Sequence, residues 1–184
     1  MTTDGTSTPP IRLLLVSGSV RAGSTNAAVL ATVAAIAPSG VETFMYTGLG
    51  SLPHFNPDDD TDPLPPPVAE LRAQLSAADA VVFCTPEYAG ALPGSLKNLL
   101  DWTVGDSASD HKPVAWINAS ATSGATGAHT ELRTVVTYTG WTVVDDACIA
   151  IPVSRTDVAD GEVTNPAHRE HIRAMVDIIV ARVS

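Results

Sequence analysis

The chain turns at Gly18-Ser19-Val20-Arg21-Ala22-Gly23-Ser24-Thr25-Asn26, between a short apolar run and an alanine-rich helical pattern. A strand that leads through serine and glycine into a helix leaves several backbone N–H groups unpaired at one point. Because the helix dipole adds partial positive charge there, an anion is the natural ligand. An arginine fork suits phosphate, and short polar side chains add further donors. We therefore interpret residues 18–26, the phosphate loop, as a phosphate-binding turn with candidate contacts Ser19, Arg21, Ser24, Thr25 and Asn26.

The composition is that of a globular chain, with 184 residues of which 45% are hydrophobic and 16% charged. The formal net charge is −10, and nucleic acids and anionic membranes both require basic surface, so neither is an expected partner. No apolar run approaches the roughly 20 residues that span a bilayer. We expect residues 1–10 to form a disordered tail and residues 11–184 a single domain.

Cysteine usage and the N-terminus bear on the compartment. Cys84 and Cys148 lie far apart and form no CxxC pair, so free thiols buried in a reducing compartment are expected. The first ten residues have neither the basic nor the apolar region of a secretory leader. These features predict a cytoplasmic protein.

Five apolar, β-rich segments alternate with helical patterns. The predicted strands lie near residues 11–17, 41–46, 79–84, 113–119 and 143–151. The predicted helices lie near residues 24–37, 66–77, 94–103, 126–139 and 166–182. Such alternation predicts a parallel sheet with helices on both faces. Five strands suit a flavodoxin-like α/β fold with the strand order 2-1-3-4-5.

Two more loops at the same edge of this sheet look specialised. Ligands of such sheets bind beyond the carboxyl ends of the strands, where strands 1 and 3 lie side by side. The ring loop, residues 85–94 after strand 3, contains two prolines and two glycines and suits a planar ring system. The third loop, residues 118–127 after strand 4, consists of small residues that let the backbone approach a ligand closely. The three loops together predict a site for a flat cofactor that carries a phosphate.

Two motifs carry a family resemblance. The first is Gly18-Ser19-x-Arg21-x-x-Ser24-x-Asn26. The second is Pro86-Glu87-Tyr88 followed by Pro93-Gly94-x-Leu96-Lys97-Asn98-x-x-Asp101-Trp102. Over residues 11–180 the chain resembles the NADPH-dependent FMN reductases, a flavodoxin-like family that includes flavin, quinone, azo-dye and chromate reductases.

The resemblance implies a bound FMN and an electron donor that is NADPH or NADH. In such proteins the phosphate loop holds the FMN phosphate, the ring loop lines the isoalloxazine, and the third loop closes the other side of the ring. The ring contacts implied are Pro86, Glu87, Tyr88, Ala89, Gly90, Ser120, Ser123 and Gly124. Ala89 and Ala91 stand where family members commonly carry polar residues.

The resemblance also implies an assembly, either a homodimer or a homotetramer formed through the helix at residues 94–102. Lys97 and Trp102 are then candidate interface residues. No nucleic acid or membrane partner and no metal site is expected. His168 and His171 are spaced to share a metal, but no third ligand is evident.

The expected activity is a ping-pong transfer of hydride from the nicotinamide to FMN, followed by reduction of a small-molecule acceptor. The acceptor classes are quinones, free flavins, azo compounds and metal oxyanions. No side chain is expected to act as acid or base. Backbone N–H groups near Glu87, Tyr88 and residues 120–124 are expected to stabilise negative charge on the ring.

Several alternatives stay open. The phosphate loop could be an ordinary helix cap with Ser24 at the N-cap. A non-enzymatic electron carrier like a flavodoxin would suit the acidic surface, because such carriers dock on basic partners. A flavin-free protein that holds another phosphate ligand is a third possibility. Tyr88 suits either a ring contact or a subunit contact, and His54 has no assigned role.

Overall fold

A parallel β-sheet forms the centre of the computed structural model, which describes residues 9–122 and 124–184. Its strands are β1 (Ile11–Ser17), β2 (Val41–Tyr46), β3 (Ala80–Cys84), β4 (Pro113–Asn118), β5 (Thr142–Val143) and β6 (Ile149–Ala150). They lie in the order β2-β1-β3-β4-β5, with β6 paired to β4, and every pairing is parallel. The predicted strand order is confirmed.

Helices cover both faces of this sheet, as predicted. They are α1 (Thr25–Ile36), α2 (Pro66–Ala77), α3 (Gly94–Asp101), α4 (Thr126–Tyr138) and α5 (Pro166–Val183). Helices α1 and α5 pack on one face, and α2, α3 and α4 pack on the other. Alternate side chains of β1 enter the two layers: Leu13 and Leu15 face α1 and α5, whereas Leu14 and Val16 face the opposite layer. A central strand covered on both sides is apolar throughout, which is why the short apolar runs predicted these strands.

The predicted fifth strand, residues 143–151, is wrong as a single element. A 3₁₀ turn at Asp145–Ala147 divides it into β5 and β6, and each half pairs with β4. Aspartate is depleted in strands. The Asp145 carboxylate instead forms an ion pair with Arg133, with 2.7 Å between the nitrogen and the oxygen. The two halves still extend the sheet beyond β4.

A short antiparallel hairpin precedes the last helix and was not predicted. Its strands are β7 (Val158–Ala159) and β8 (Glu162–Val163), joined at Asp160 and Gly161. These two residues have φ values of 51° and 81°, the backbone that a two-residue hairpin turn requires. The buried N–H of Val163 donates to Thr32 Oγ1 at 2.8 Å, which ties the hairpin to α1.

Replacing Thr32 with valine is expected to lower the free energy of unfolding by about 1–3 kcal/mol. The substitution keeps the volume of the side chain but leaves the buried N–H of Val163 without its acceptor. Denaturant unfolding measures the loss. The hydroxyl of Thr32 also donates to the carbonyl of Ala28, four residues earlier on α1. The control is Thr134→Val, because the hydroxyl of Thr134 on α4 donates likewise to the carbonyl of Thr130 but is exposed. Equal losses in both variants would contradict this role for Thr32.

The end of α3 is covered by the segment that follows β2. Trp102 is fully buried, so the role in a subunit interface that the resemblance implies for it is wrong. Its indole N–H donates to the carbonyl of Pro53 at 2.9 Å, and its ring lies edge-on to Phe55 with 5.0 Å between centroids. The Asn98 carboxamide binds the same segment, accepting from the N–H of Phe55 at 2.8 Å and donating to the carbonyl of Pro53 at 2.8 Å. Trp102 therefore belongs to the core of the subunit.

Some predictions concern the ends of the chain and its thiols. Residues 1–8 lie outside the described residues, so the disordered tail stays a prediction, as does the single domain at residues 11–184. None of the helices that the structure describes is long and apolar enough to cross a bilayer. Cys84 and Cys148 are free thiols, the first buried and the second partly buried.

Candidate functional site

The phosphate loop, the ring loop and the third loop meet at the carboxyl ends of β1, β3 and β4. The N–H of Gly18 donates to the carbonyl of Cys84 at 2.9 Å, which joins the first two loops at their bases. A Cβ atom on Gly18 would lie 2.1 Å from Thr85 Oγ1 and 2.6 Å from Thr85 Cβ, so only glycine fits. Because Gly18 has no side chain, the phosphate loop can pack directly against Thr85 of the ring loop.

One open cleft lies between the three loops. Five of the predicted site residues line it: Thr25, Asn26, Pro86, Glu87 and Ser120. Four further lining residues were not among the predicted contacts: Thr85, Ala119, Ala121 and Val153. Three of these four belong to loops that the sequence singled out. Val153 arrives from the segment after β6, where its N–H donates to the carbonyl of Ala119 at 3.3 Å.

The N-terminus of α1 contributes Thr25 and Asn26 to the lining of this cleft. Ser24 is buried and caps the helix, its side chain accepting from the N–H of Ala27 at 3.1 Å. Among the described residues, the N–H groups of Thr25 and Asn26 have no acceptor. The Arg21 side chain is exposed and forms no ion pair with any residue that the structure describes. Arg21 is not among the residues that line the cleft. Helix N–H groups and a guanidinium that have no partner among the described residues are nevertheless the kinds of donor that a phosphate group requires.

Ser19 lies on the other side of the phosphate loop. It lines a neighbouring cleft formed with Ser17, Val20 and the segment that follows β2. Its hydroxyl accepts from the N–H of Arg21 at 3.3 Å, so this side chain shapes the turn that carries the arginine. Ser19 is therefore not among the residues that line the cleft with Thr25 and Asn26.

The ring loop contains a tight turn. Tyr88 and Ala91 exchange two backbone hydrogen bonds of 3.1 Å, and between them Ala89 and Gly90 have φ values of 53° and 77°. The N–H of Tyr88, one of the predicted donors to the ring, is consequently paired within the loop. The N–H of Glu87 has no acceptor among the described residues. Tyr88, Ala89 and Gly90 are all exposed, and none of them lines the cleft.

Ala89→Asn is expected to stabilise the protein by about 1 kcal/mol, because alanine is strained at positive φ whereas asparagine tolerates it. Asparagine followed by glycine is the favoured pair in such a turn. The midpoint of thermal unfolding is the measurement. Ala91→Asn serves as the control, since Ala91 has no positive φ. An unchanged or lower midpoint for Ala89→Asn would contradict the strain assigned to this position.

The ring loop packs against the start of α4. Glu87 Oε2 accepts from the N–H of Ala128 at 3.0 Å, and Glu131 Oε2 accepts from the N–H of Leu92 at 2.7 Å. A Cβ atom on Gly127 would lie 2.1 Å from the carbonyl oxygen of Gly90. The Glu87 carboxylate is thereby occupied as a helix cap, which fits a structural role in the turn.

A single asparagine organises the third loop. Asn118 donates through Nδ2 to the carbonyl of Gly124 at 2.6 Å, and its Oδ1 accepts from the N–H of Ser120 at 3.1 Å. Gly124 is exposed with a φ of 71°. Ser123, another predicted ring contact, lies outside the described residues. The small side chains of this loop leave its backbone close to the cleft.

Burial shifts the pKa values of two titratable groups near the site away from their charged forms. Burial raises the pKa of the Cys84 thiol well above its usual range. Burial also lowers the pKa of His129, whose Nδ1 lies 2.8 Å from the carbonyl oxygen of Ala125. Neither group lines the cleft. The site thus offers hydrogen-bond donors at the start of α1 and backbone surface in the ring loop and the third loop. This combination fits FMN, which has a phosphate group and a flat ring.

Comparison with solved structures defines the class of protein. An archaeal flavodoxin aligns with a TM-score of 0.59 over 94% of this chain and 99% of its own, at 13% identity, which is a likeness of fold alone. The flavoenzyme FerB, an NAD(P)H:(acceptor) oxidoreductase from Paracoccus denitrificans, aligns with a TM-score of 0.80 at 28% identity, over 93% of this chain and 98% of its own. The protein is a flavodoxin-like α/β protein, as predicted.

Sequence comparison then defines the family. The sequence model of the NADPH-dependent FMN reductases matches residues 11–156. A 2-hydroxy-1,4-benzoquinone reductase from a Burkholderia species is 32% identical over 175 residues, 91% of this chain and 93% of its own. An NAD(P)H-dependent FMN reductase from Pseudomonas aeruginosa is 37% identical over 113 residues, a match that spans 60% of each chain. The chain belongs to the NADPH-dependent FMN reductase family, an FMN-dependent class of NAD(P)H oxidoreductases, and the resemblance seen in its motifs is confirmed.

Proposed function

We propose that this protein binds FMN with its phosphate at the N-terminus of α1 and its ring beside the ring loop, and that it reduces a small quinone with electrons from NADPH or NADH. The observation that carries the proposal is the cleft, which joins Thr25 and Asn26, whose N–H groups are unpaired among the described residues, to Pro86, Glu87 and the third loop. Relatives that are named quinone reductases support a quinone as acceptor. Free flavins, azo compounds and metal oxyanions are the other acceptor classes to compare.

The chain contributes binding and orientation. The helix donors and the exposed guanidinium of Arg21 hold a phosphate, against an overall charge of −10 that disfavours anions elsewhere. The ring loop offers a rigid backbone surface, and Asn118 keeps the backbone of the third loop near the cleft. Bound FMN would supply the redox chemistry, accepting a hydride from the nicotinamide and passing electrons to the acceptor. None of the residues that line the cleft is needed as a general acid or base.

Steady-state oxidation of NADPH and NADH, with a benzoquinone as acceptor, tests this function. We expect turnover by the purified, FMN-loaded protein without any second protein. An electron carrier, the alternative that the acidic surface also suits, would oxidise almost no nicotinamide unless a partner reductase were added. An anaerobic mixture with each nicotinamide identifies the preferred donor by the rate at which the flavin absorbance bleaches.

The assembly and the compartment belong to the same proposal. We propose a homodimer or homotetramer in which the exposed side of α3 takes part. Lys97 lies there, partly exposed and paired with Asp101 at 2.7 Å, whereas Trp102 is excluded by its burial. A cytoplasmic location is supported by the two free thiols. Sedimentation of the wild-type protein and of Lys97→Glu tests the interface.

Arg21→Ala is expected to weaken FMN binding about 10- to 150-fold, the range for one hydrogen bond to a charged group. Quenching of flavin fluorescence gives the dissociation constant. The matched control is Arg173→Ala, because Arg173 is also exposed, lies on α5 and forms no ion pair among the described residues. If Arg21→Ala kept the wild-type affinity for FMN, Arg21 would not be a phosphate contact.

A further inference from the structure

Two glutamates tie the ring loop to α4 in opposite directions. Glu87 in the loop accepts from the N–H of Ala128 in the first turn of α4, with 3.0 Å between Oε2 and N. Glu131, one turn further along α4, accepts from the N–H of Leu92 at the far end of the loop, with 2.7 Å between Oε2 and N. The two bonds bracket the exposed turn between Tyr88 and Ala91.

Both bonds satisfy donors that are costly to leave unpaired. The N–H of Ala128 is one of the donors that a helix N-terminus cannot satisfy within the helix, and a carboxylate there is also favoured by the helix dipole. Leu92 is buried, so without Glu131 its N–H would lose a charge-assisted hydrogen bond away from water. The loop is thus held at both ends by bonds stronger than those within its own turn.

The geometry of the cleft gives these bonds a consequence for binding. Pro86 and Glu87 line the same cleft as Thr25 and Asn26, so a movement of the ring loop on α4 would change the space available to a flat ligand. Glu131 does not line the cleft and acts only through the backbone of the loop.

We propose that Glu87 and Glu131 are positioning residues that hold the ring loop in place for the ring of a flavin, separately from the residues that hold its phosphate. The proposal rests on the proposed function, because it assigns a flat ring to this side of the cleft. It divides the ligand between two parts of the chain: the phosphate to the start of α1, and the ring to a loop whose position α4 controls.

Glu131→Ala and Glu131→Gln, titrated with FMN and with riboflavin, test this division. Riboflavin carries the same ring without the phosphate. We expect Glu131→Ala to weaken the binding of both flavins by the same factor, about fivefold or more, since the loss acts on the ring. Glu131→Gln keeps an acceptor oxygen for Leu92 and should restore most of the affinity. Arg21→Ala should weaken the binding of FMN alone.

Glu70→Ala is the matched control, because Glu70 is an exposed helical glutamate on α2 with one side-chain partner. If Glu131→Ala does not fold, Glu131→Asp shortens the side chain by one methylene and should change both affinities in the same direction. Wild-type affinities for both flavins in these variants, or a loss confined to FMN, would overturn the proposal. If the wild-type protein bound neither flavin, the proposed function itself would fall, and the positioning role with it.

Discussion

Gly18→Ala is expected to destabilise the protein by about 3 kcal/mol, at the upper end of the range for overpacking a filled interior. The added methyl group would lie 2.1 Å from Thr85 Oγ1, 2.6 Å from Thr85 Cβ and 3.0 Å from Leu96 Cδ2. The conformation of Gly18 is not the cause, since its φ is not positive. The phosphate loop and the ring loop must separate to make room, so FMN binding should fall together with stability.

Denaturant unfolding and flavin titration of the same variant measure both effects. The control is Gly94→Ala at the start of α3, where no atom of the described residues, beyond its chain neighbours and the backbone of α3 itself, lies within 4 Å of the added atom. There we expect no loss, or a gain of up to about 1 kcal/mol from the reduced entropy of the unfolded chain. Thr85→Gly removes both atoms of the threonine that collide with the new methyl group and should suppress part of the defect. A Gly18→Ala variant as stable as Gly94→Ala would contradict the packing described.

The central strands and the position of the site could be predicted because their signals are local. Strand β3 reads as an unbroken apolar run since both of its faces are covered. The cleft could be predicted because the carboxyl ends of parallel strands meet at one edge, which places the loops after β1, β3 and β4 together. The break between β5 and β6 was not predicted, because apolar residues flank it on both sides. Asp145 and Asp146 lie at the break and were its only sign in the sequence.

What the sequence could not predict depends on contacts between distant segments. Val153 reaches the cleft through a hydrogen bond to Ala119, the residue after β4, and the sequence around Val153 contains no ligand-binding motif. The resemblance made Trp102 a candidate interface residue, but the segment at Pro53 covers it within the subunit. The N–H of Tyr88 is paired with Ala91 in a tight turn, and this turn forms although Ala89 must adopt a positive φ. The spacing of residues along a helix does not show which carboxylate will accept from a distant N–H group. The hydrogen bond between Glu131 and Leu92 therefore could not be predicted either.

Gly127→Ala, which adds a single methyl group, is expected to reduce the affinity for flavins more than any other such addition. The new Cβ atom would lie 2.1 Å from the carbonyl oxygen of Gly90 and 3.0 Å from both Gly90 C and Glu87 Oε2. Here the obstacle is backbone, which cannot rotate away as a side chain can. The ring loop must therefore move off α4 as a unit, breaking the bond from Ala128 to Glu87. We expect a loss of stability of about 1–3 kcal/mol and a loss of affinity for FMN and riboflavin alike.

The two glycines should differ in how they can be rescued. Thr85→Gly relieves Gly18→Ala because it deletes the colliding atoms, whereas Glu87→Ala cannot relieve Gly127→Ala, since the carbonyl of Gly90 remains in place. Flavin titrations of both double variants, each compared with its single variants, separate these cases. Recovery of affinity in Gly127→Ala by Glu87→Ala would show that a side chain, and not the loop backbone, limits the approach of α4. Such a result would also mean that the Glu87 carboxylate alone, and not the position of the whole ring loop, determines the affinity for the ring.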